Sequence, residues 1–319
     1  MRRNTNQEHI EGYVYSHDLV IKTVQNSESA NYGKEFISGN VEVAVDDALL
    51  NVIPVHFTYV TETTAKGSKN TTFSNLKKII DNDMTVVKVG VQDAQKIKID
   101  TALSLNDFYT QDDRLVSTKV NEGGSVTLIN GELAPENERN TFTMDMLITG
   151  ITSVDADPEK NIEKPYITIK GAVFNFRNEL LPTDFKCDNT QGMKFFEDLG
   201  VTNAEPVYTK VWGKINCETK TRVVTEESAF GEAAVQTYER KVKEWVVTGT
   251  SKVPYDFGDE EVMTAEEVQK AAQDRETKLA EVKARSEEYR AQKAAGTASV
   301  ATKPAVGPKP VAKAGGFSF

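Results

Sequence analysis

Cysteine is scarce in this chain of 319 residues: there are two, Cys187 and Cys217. They can form one disulfide at most, so no disulfide framework organises the fold, and a reducing compartment is expected. Histidine is almost as rare. None of His9, His17 and His56 is spaced with another histidine or with a cysteine as a metal site or catalytic dyad requires. There is no phosphate-binding P-loop and no dinucleotide-binding glycine pattern. The acidic pairs Asp46-Asp47 and Asp112-Asp113 stand in turn-like surroundings, where Asp bonds its own backbone. These absences argue against an enzyme, and neither a metal nor a cofactor is expected. No apolar run reaches the ~20 residues of a membrane span. The residues up to His9 lack the apolar stretch of a signal peptide. The expected location is the cytoplasm of a bacterium or of a phage-infected host cell.

Positive charge is also in deficit, with a formal net charge of -10. A bulk field of that sign repels polyanions, so any nucleic-acid site must be a local basic patch. Hydrophobic residues make up 39% and charged residues 27%, an ordinary soluble balance with enough apolar side chains for more than one core.

Such a patch is visible at Pro206–Ile215. Read as a strand, it turns Val207, Val211 and Ile215 one way and Tyr208, Lys210, Trp212 and Lys214 the other. Rings stack on bases, and interleaved lysines attract phosphates. Tyr and Trp also favour strands for packing alone, so a plain outer face is the competing reading. A second stripe, Lys241, Lys243 and Trp245, places both tryptophans on faces shared with lysine.

The order of elements repeats. Strand patterns at Gly12–Val24, Glu35–Val45 and Asn51–Val60 precede a helical interval at Thr71–Asp81 and a fourth strand at Thr85–Val91. Further strands are expected at Lys96–Asp100, Leu115–Val120 and Val126–Ile129. After the polar stretch Glu132–Asn140 come strands at Phe142–Val154, Tyr166–Phe176 and Asp184–Cys187, a helix at Gly192–Leu199, and strands at Pro206–Ile215 and Glu244–Val253. Gly39 answers Gly171, and Lys88-Val89-Gly90 answers Val211-Trp212-Gly213. Cys217–Val224 and Tyr238–Val242 read as hairpin arms with Phe230 at the tip. Three strands, a helix and two strands is the order of the OB-fold, a five-stranded Greek-key barrel; two unrelated β-sandwich segments are the rival reading.

The expected fold is therefore mainly β: two tandem OB-like five-stranded barrels, a C-terminal helix and a disordered tail. The boundaries are 1–135, 136–258, 259–293 and 294–319. The helix opens on a Thr264/Glu267 capping box. Its thin apolar face (Val268, Ala272, Leu279, Val282, Tyr289) predicts a solvated helix or one packed loosely on a partner. The tail is low in complexity, basic at Lys303, Lys309 and Lys313, and ends Gly-Gly-Phe-Ser-Phe.

This layout resembles phage-type single-stranded DNA-binding proteins. It shares a β-barrel core of OB type, aromatic and basic residues on strands, and a tail ending in Phe. Bacterial members typically carry acid before that last Phe, whereas here the acids lie at Asp256–Glu261, ahead of the helix. The resemblance implies a non-enzymatic protein that coats single-stranded DNA in replication or recombination. Stacking falls to Tyr208, Trp212, Trp245, Phe174 and Phe176. Phosphate contacts fall to Lys170, Lys210, Lys214, Lys241 and Lys243, with Lys88, Lys96 and Lys98 as a weaker set. Phe317 and Phe319 are the candidates for docking a replication or recombination partner. The alternative is a structural or virion assembly protein whose aromatic faces are subunit contacts.

Overall fold

The computed structural model describes residues 4–29, 31–64, 66–157, 162–226, 234–257 and 263–294. The protein is mainly β. In the first half β1 (Asn6–His17), β2 (Val20–Thr23), β3 (Glu35–Ala44) and β4 (Val52–Thr61) are followed by helices α1 (Thr71–Asn82) and α2 (Val86–Val89), then β5 (Lys96–Tyr109) and β6 (Leu115–Ile129). The second half runs β7 (Asn140–Val154), β8 (Tyr166–Phe174), β9 (Leu180–Cys187), α3 (Thr190–Asp198), β10 (Val207–Glu226) and β11 (Ala234–Thr250), and α4 (Ala265–Ala294) follows.

All eleven strands among the described residues belong to one sheet. Within it the pairings close two rings. In the first, β1 pairs with β3, β3 with β4, β4 with β6 in parallel, β6 with β5, and β5 again with β1. In the second, β7 pairs with β8, β8 with β9, β9 with β11 in parallel, β11 with β10, and β10 again with β7. A ladder from Asn6↔Met144 to Ile10↔Asn140 welds β1 to β7 and so joins the rings.

The local chemistry explains the elements. Asn70 caps α1 by accepting from the Thr72 amide at 3.0 Å, and Phe73, Leu76 and Ile79 enter the core at helical spacing. Asn189 caps α3 in the same way through the Gln191 and Gly192 amides, and Phe196 is its buried anchor. The two glycines matched in the repeat both mark bulges. Gly39 has φ +132° and follows the register shift in β3. A Cβ on Gly171 would lie 2.0 Å from the Leu147 carbonyl oxygen, opposite the shift in β7. One apolar core runs from Ile10, Val41 and Phe57 to Phe142, Ile169, Phe185 and Trp245.

Three expectations are corrected. Thr85–Val91 is not the fourth strand: residues 86–89 form a single helical turn, with the Gly90 amide bonded to the Val86 carbonyl at 3.0 Å. Its valines are exposed, at 65% for Val87 and 41% for Val89, so they lack the burial that a central strand gives. The ladder position belongs to β5, and Lys88-Val89-Gly90 is therefore not the counterpart of Val211-Trp212-Gly213. The separate strands expected at Leu115–Val120 and Val126–Ile129 are one strand, β6. Finally, α4 is not a loosely held helix. The capping box forms as expected, but the helix is docked on its own chain. Arg275 makes a two-pronged bond to Asp107 of β5 at 3.0 and 3.2 Å, with both side chains under 10% exposed. Arg290 pairs with Asp113 at 2.7 Å, and Lys278 with Glu179 of the second half at 3.2 Å. Charge supplies what the thin apolar face does not. The tail with Phe317 and Phe319, and the hairpin tip around Phe230, lie outside the described residues.

Candidate nucleic-acid interface

The period-two reading of β10 holds over its first half. Val211 and Ile215 are fully buried, while Lys210 and Lys214 are half-buried and Trp212 is 41% exposed on the other face. Tyr208 shares that outer face yet is 3% exposed. The connector after β11 folds back over it: Tyr255 lies 5.4 Å and Phe257 6.2 Å from its ring, and Phe174 meets it edge-on at 6.2 Å. Met263 and Ala271 complete this second, small core. Tyr208 and Phe174 are therefore packing residues, with no ring face free for a base. Burial also pushes the Tyr208 phenol upward, helped by Asp145.

Trp245 is likewise corrected. It stands opposite Ile215 on the inner face of β11, is 1% exposed, and donates Nε1–H to Glu8 Oε1 at 2.8 Å. It cannot stack on a base where it stands. Instead it gathers cations. Lys119 Nζ of β6 lies 5.0 Å and Lys243 Nζ 5.2 Å from its ring centroid. Lys186 Nζ of β9 lies 4.7 Å from the ring centroid of Tyr166 on β8. These residues, with Thr168, Asp184 and Glu244, line a groove of about 210 Å³ where the first ring's β6 meets the second ring's β9 and β11. Exposed Lys170 is the cross-strand partner of Asp184 at its rim.

The groove's charges are partly paired. Lys119 donates to Asp184 Oδ1 at 2.9 Å and to its carbonyl at 2.7 Å; Lys186 meets Glu244 at 3.3 Å. Burial pulls the Lys243 ammonium below its ordinary range, against the opposing pull of Glu8 and Cys217. Beneath lies Glu8, 2% exposed, which also accepts from Thr101 at 2.6 Å. Burial raises its carboxyl from 4.5 to about 7, despite the bonds from Thr101 and Trp245 and the charge of Lys243.

The other expected residues scatter. Phe176 is 78% exposed in the turn after β8, with Arg177 over its ring at 5.1 Å. Lys88 pairs with Asp83 on the α2 side and joins no strand face. Lys96 is tied to the Gly131 carbonyl at 2.9 Å, and Lys98 stands across from Glu11. Lys241 pairs with Glu42 of β3 at 2.6 Å. Lys119, Tyr166 and Lys186 were not singled out from the sequence. The alternation Tyr166, Thr168, Lys170 carries a signal for the tyrosine; Lys119 has none, because only the junction of the rings brings β6 to Trp245.

Among the described residues no cluster of His, Cys, Asp and Glu is placed to hold a metal ion, and no described helix is long and apolar enough to cross a membrane.

Comparison with known proteins gives three results. No curated protein matches the sequence. Among solved structures, similarity is found to a deletion and substitution variant of the single-stranded DNA binding protein from Thermus aquaticus, with a TM-score of 0.44 and 11% identity over 81% of this chain and 98% of that one. The YorF family model matches from residue 5 to residue 285, through both rings and most of α4, and the chain belongs to the YorF family.

Proposed function

We propose that the protein binds single-stranded DNA without catalysis and coats it in replication or recombination, with the groove between the rings as its contact surface. The observation that carries this reading is the concentration of four lysines, Lys119, Lys170, Lys186 and Lys243, around Tyr166 and the buried indole of Trp245, against Asp184, Glu244 and the buried Glu8. In a chain of net charge -10, such a patch is the local attraction that a phosphate backbone needs. Tyr166 supplies the ring on which a base stacks, and Lys186 beside it adds a cation.

Each ring is read as an OB-type barrel, covering residues 1–135 and 136–258. Two features support it: the closed order of pairings with one parallel contact, and a helix between the third and fourth strands. In that architecture the second and third strands and the loop between the last two strands form the binding face. The groove occupies that place in the second ring, on β8, β9 and the base of the β10–β11 ribbon.

The test is a gel-shift of the full chain with oligo-dT, oligo-rU and a duplex of equal length, across a salt series. Preferential binding of oligo-dT is expected, weakening with salt at a log–log slope of about -3 if four lysines release counter-ions. Equal binding of the duplex, or none of oligo-dT at low salt, overturns the reading.

A further inference from the structure

Trp212 is unlike the other aromatic residues of the second ring. Its indole lies over its cross-strand neighbour Gly249: a Cβ there would sit 2.3 Å from Nε1 and 2.5 Å from Cε2. Gly249 does not have a left-handed backbone, so glycine here makes room for the ring rather than for an unusual turn. One side of the indole is thus seated on the β11 backbone, and 41% of the residue stays exposed. The cover that buries Tyr208 does not extend this far. Tyr255 donates to Asp145, which stands across from Lys210, while Trp212 stands across from Thr143 and Lys214 across from Thr141. Two residues of strand place Lys214 about 7 Å from Trp212 on the same face. Burial holds the Lys214 ammonium below its ordinary range, opposed by nearby Glu138. Farther across the sheet on the same face the charges are mixed: His9 stands between Asp100 and Glu11 at 3.5 Å from each, and Lys98 stands across from Glu11.

We propose that Trp212 and Lys214 form a second contact for the same single strand, separate from the groove: Trp212 stacks one base and Lys214 meets the adjoining phosphate. The proposal rests on the single-strand reading above and adds a site to it. A strand that reaches both contacts must be longer than one that fills the groove, so the second contact acts on long oligonucleotides alone.

The two tryptophans make this measurable, because Trp245 is 1% exposed and contributes a shielded signal. The full chain, Trp212→Phe, Trp212→Ala and the double variant Lys119→Ala/Lys186→Ala are titrated with dT8 and dT30 by fluorescence and by gel-shift. Trp212→Ala is expected to lower dT30 affinity about 5- to 150-fold, the equivalent of 1–3 kcal/mol for a stacked base, and to leave dT8 unchanged. The quench caused by dT30 in the native chain is lost in Trp212→Phe, which still binds. If Trp212→Ala binds dT30 as the native chain does while the lysine variant is impaired, the second contact is refuted and the groove stands. If neither variant changes binding, neither the groove nor Trp212 is the contact surface; if the native chain does not bind dT30 at all, the single-strand reading itself falls.

Discussion

The first ring turns the matching part of its wall into a hydrogen-bond mesh, while the second ring makes it a basic groove. On β3 and β4, Asn40 meets His56 at 2.9 Å and donates its Nδ2–H to Asp18 at 3.0 Å, and Glu42 accepts from Ser16 at 2.6 Å. Thr58 donates to Glu122 at 2.7 Å, and Glu42 also holds Lys241 from the second ring's ribbon. On β8 and β9 the corresponding strands present Tyr166, Thr168, Lys170 and Lys186. The order of pairing is the same, and the chemistry is opposite in sign. The difference teaches that the strand order supplies a platform and the outward side chains decide what it meets.

The largest expected effect tests whether the two rings need α4 to keep their places. Arg275→Ala leaves the Asp107 carboxylate buried without its partner, which should cost about 3–5 kcal/mol in urea unfolding. Lys278→Ala breaks an exposed pair to Glu179 on the second half and should cost under about 1 kcal/mol. Equal losses in the two variants would show that the buried pair is not what fastens the helix.

Next comes the asymmetry of charge. Lys119→Ala with Lys186→Ala should lower oligo-dT affinity about 100-fold, taking roughly 1.5 kcal/mol for each charged contact. His56→Ala on the first ring should leave affinity within about twofold, since surface changes away from a site are small. A loss from His56→Ala as large as that from the lysines would erase the distinction between the two walls.

Glu8 sharpens the comparison at the seam, because Thr101 of one ring and Trp245 of the other both bond it. Its carboxyl is raised from 4.5 to about 7, so the folded state favours the protonated form. The stability this gives is full below pH 4.5 and is lost as pH rises through about 7. The native chain should lose about 3 kcal/mol across that window relative to Glu8→Gln, whose profile lacks this step. Parallel unfolding curves for the two proteins from pH 4 to pH 8 would remove Glu8 from the seam's energetics.

Much of the scaffold was legible in the residues themselves. Alternation placed Val211 and Ile215 inward, helical spacing gave Phe73, Leu76 and Ile79, and Thr264 with Glu267 marked the start of α4. Gly39 and Gly171 announced matching bulges. These features are local: a strand's period, a helix's spacing and a cap depend on neighbours within a few residues. Val86 to Val89 misled because a β-branched run suits a strand only when a ladder partner and burial are available, and β5 took both.

Exposure was decided elsewhere. Tyr208 and Trp212 lie on one face of one strand, and the sequence gives no reason to separate them. Tyr255, Phe257 and Met263, remote in the chain, cover the first and stop short of the second. Trp245 and Lys243 share a face as expected, but closure of the ring turned that face inward and left the indole to hold cations. Lys119 reached the groove because the two rings are joined, which lets its side chain cross from β6 to Asp184 of β9. The sequence by itself determined the strands, the caps and the supply of rings and lysines. Which of those rings meets solvent depended on packing between distant segments, which no local pattern records.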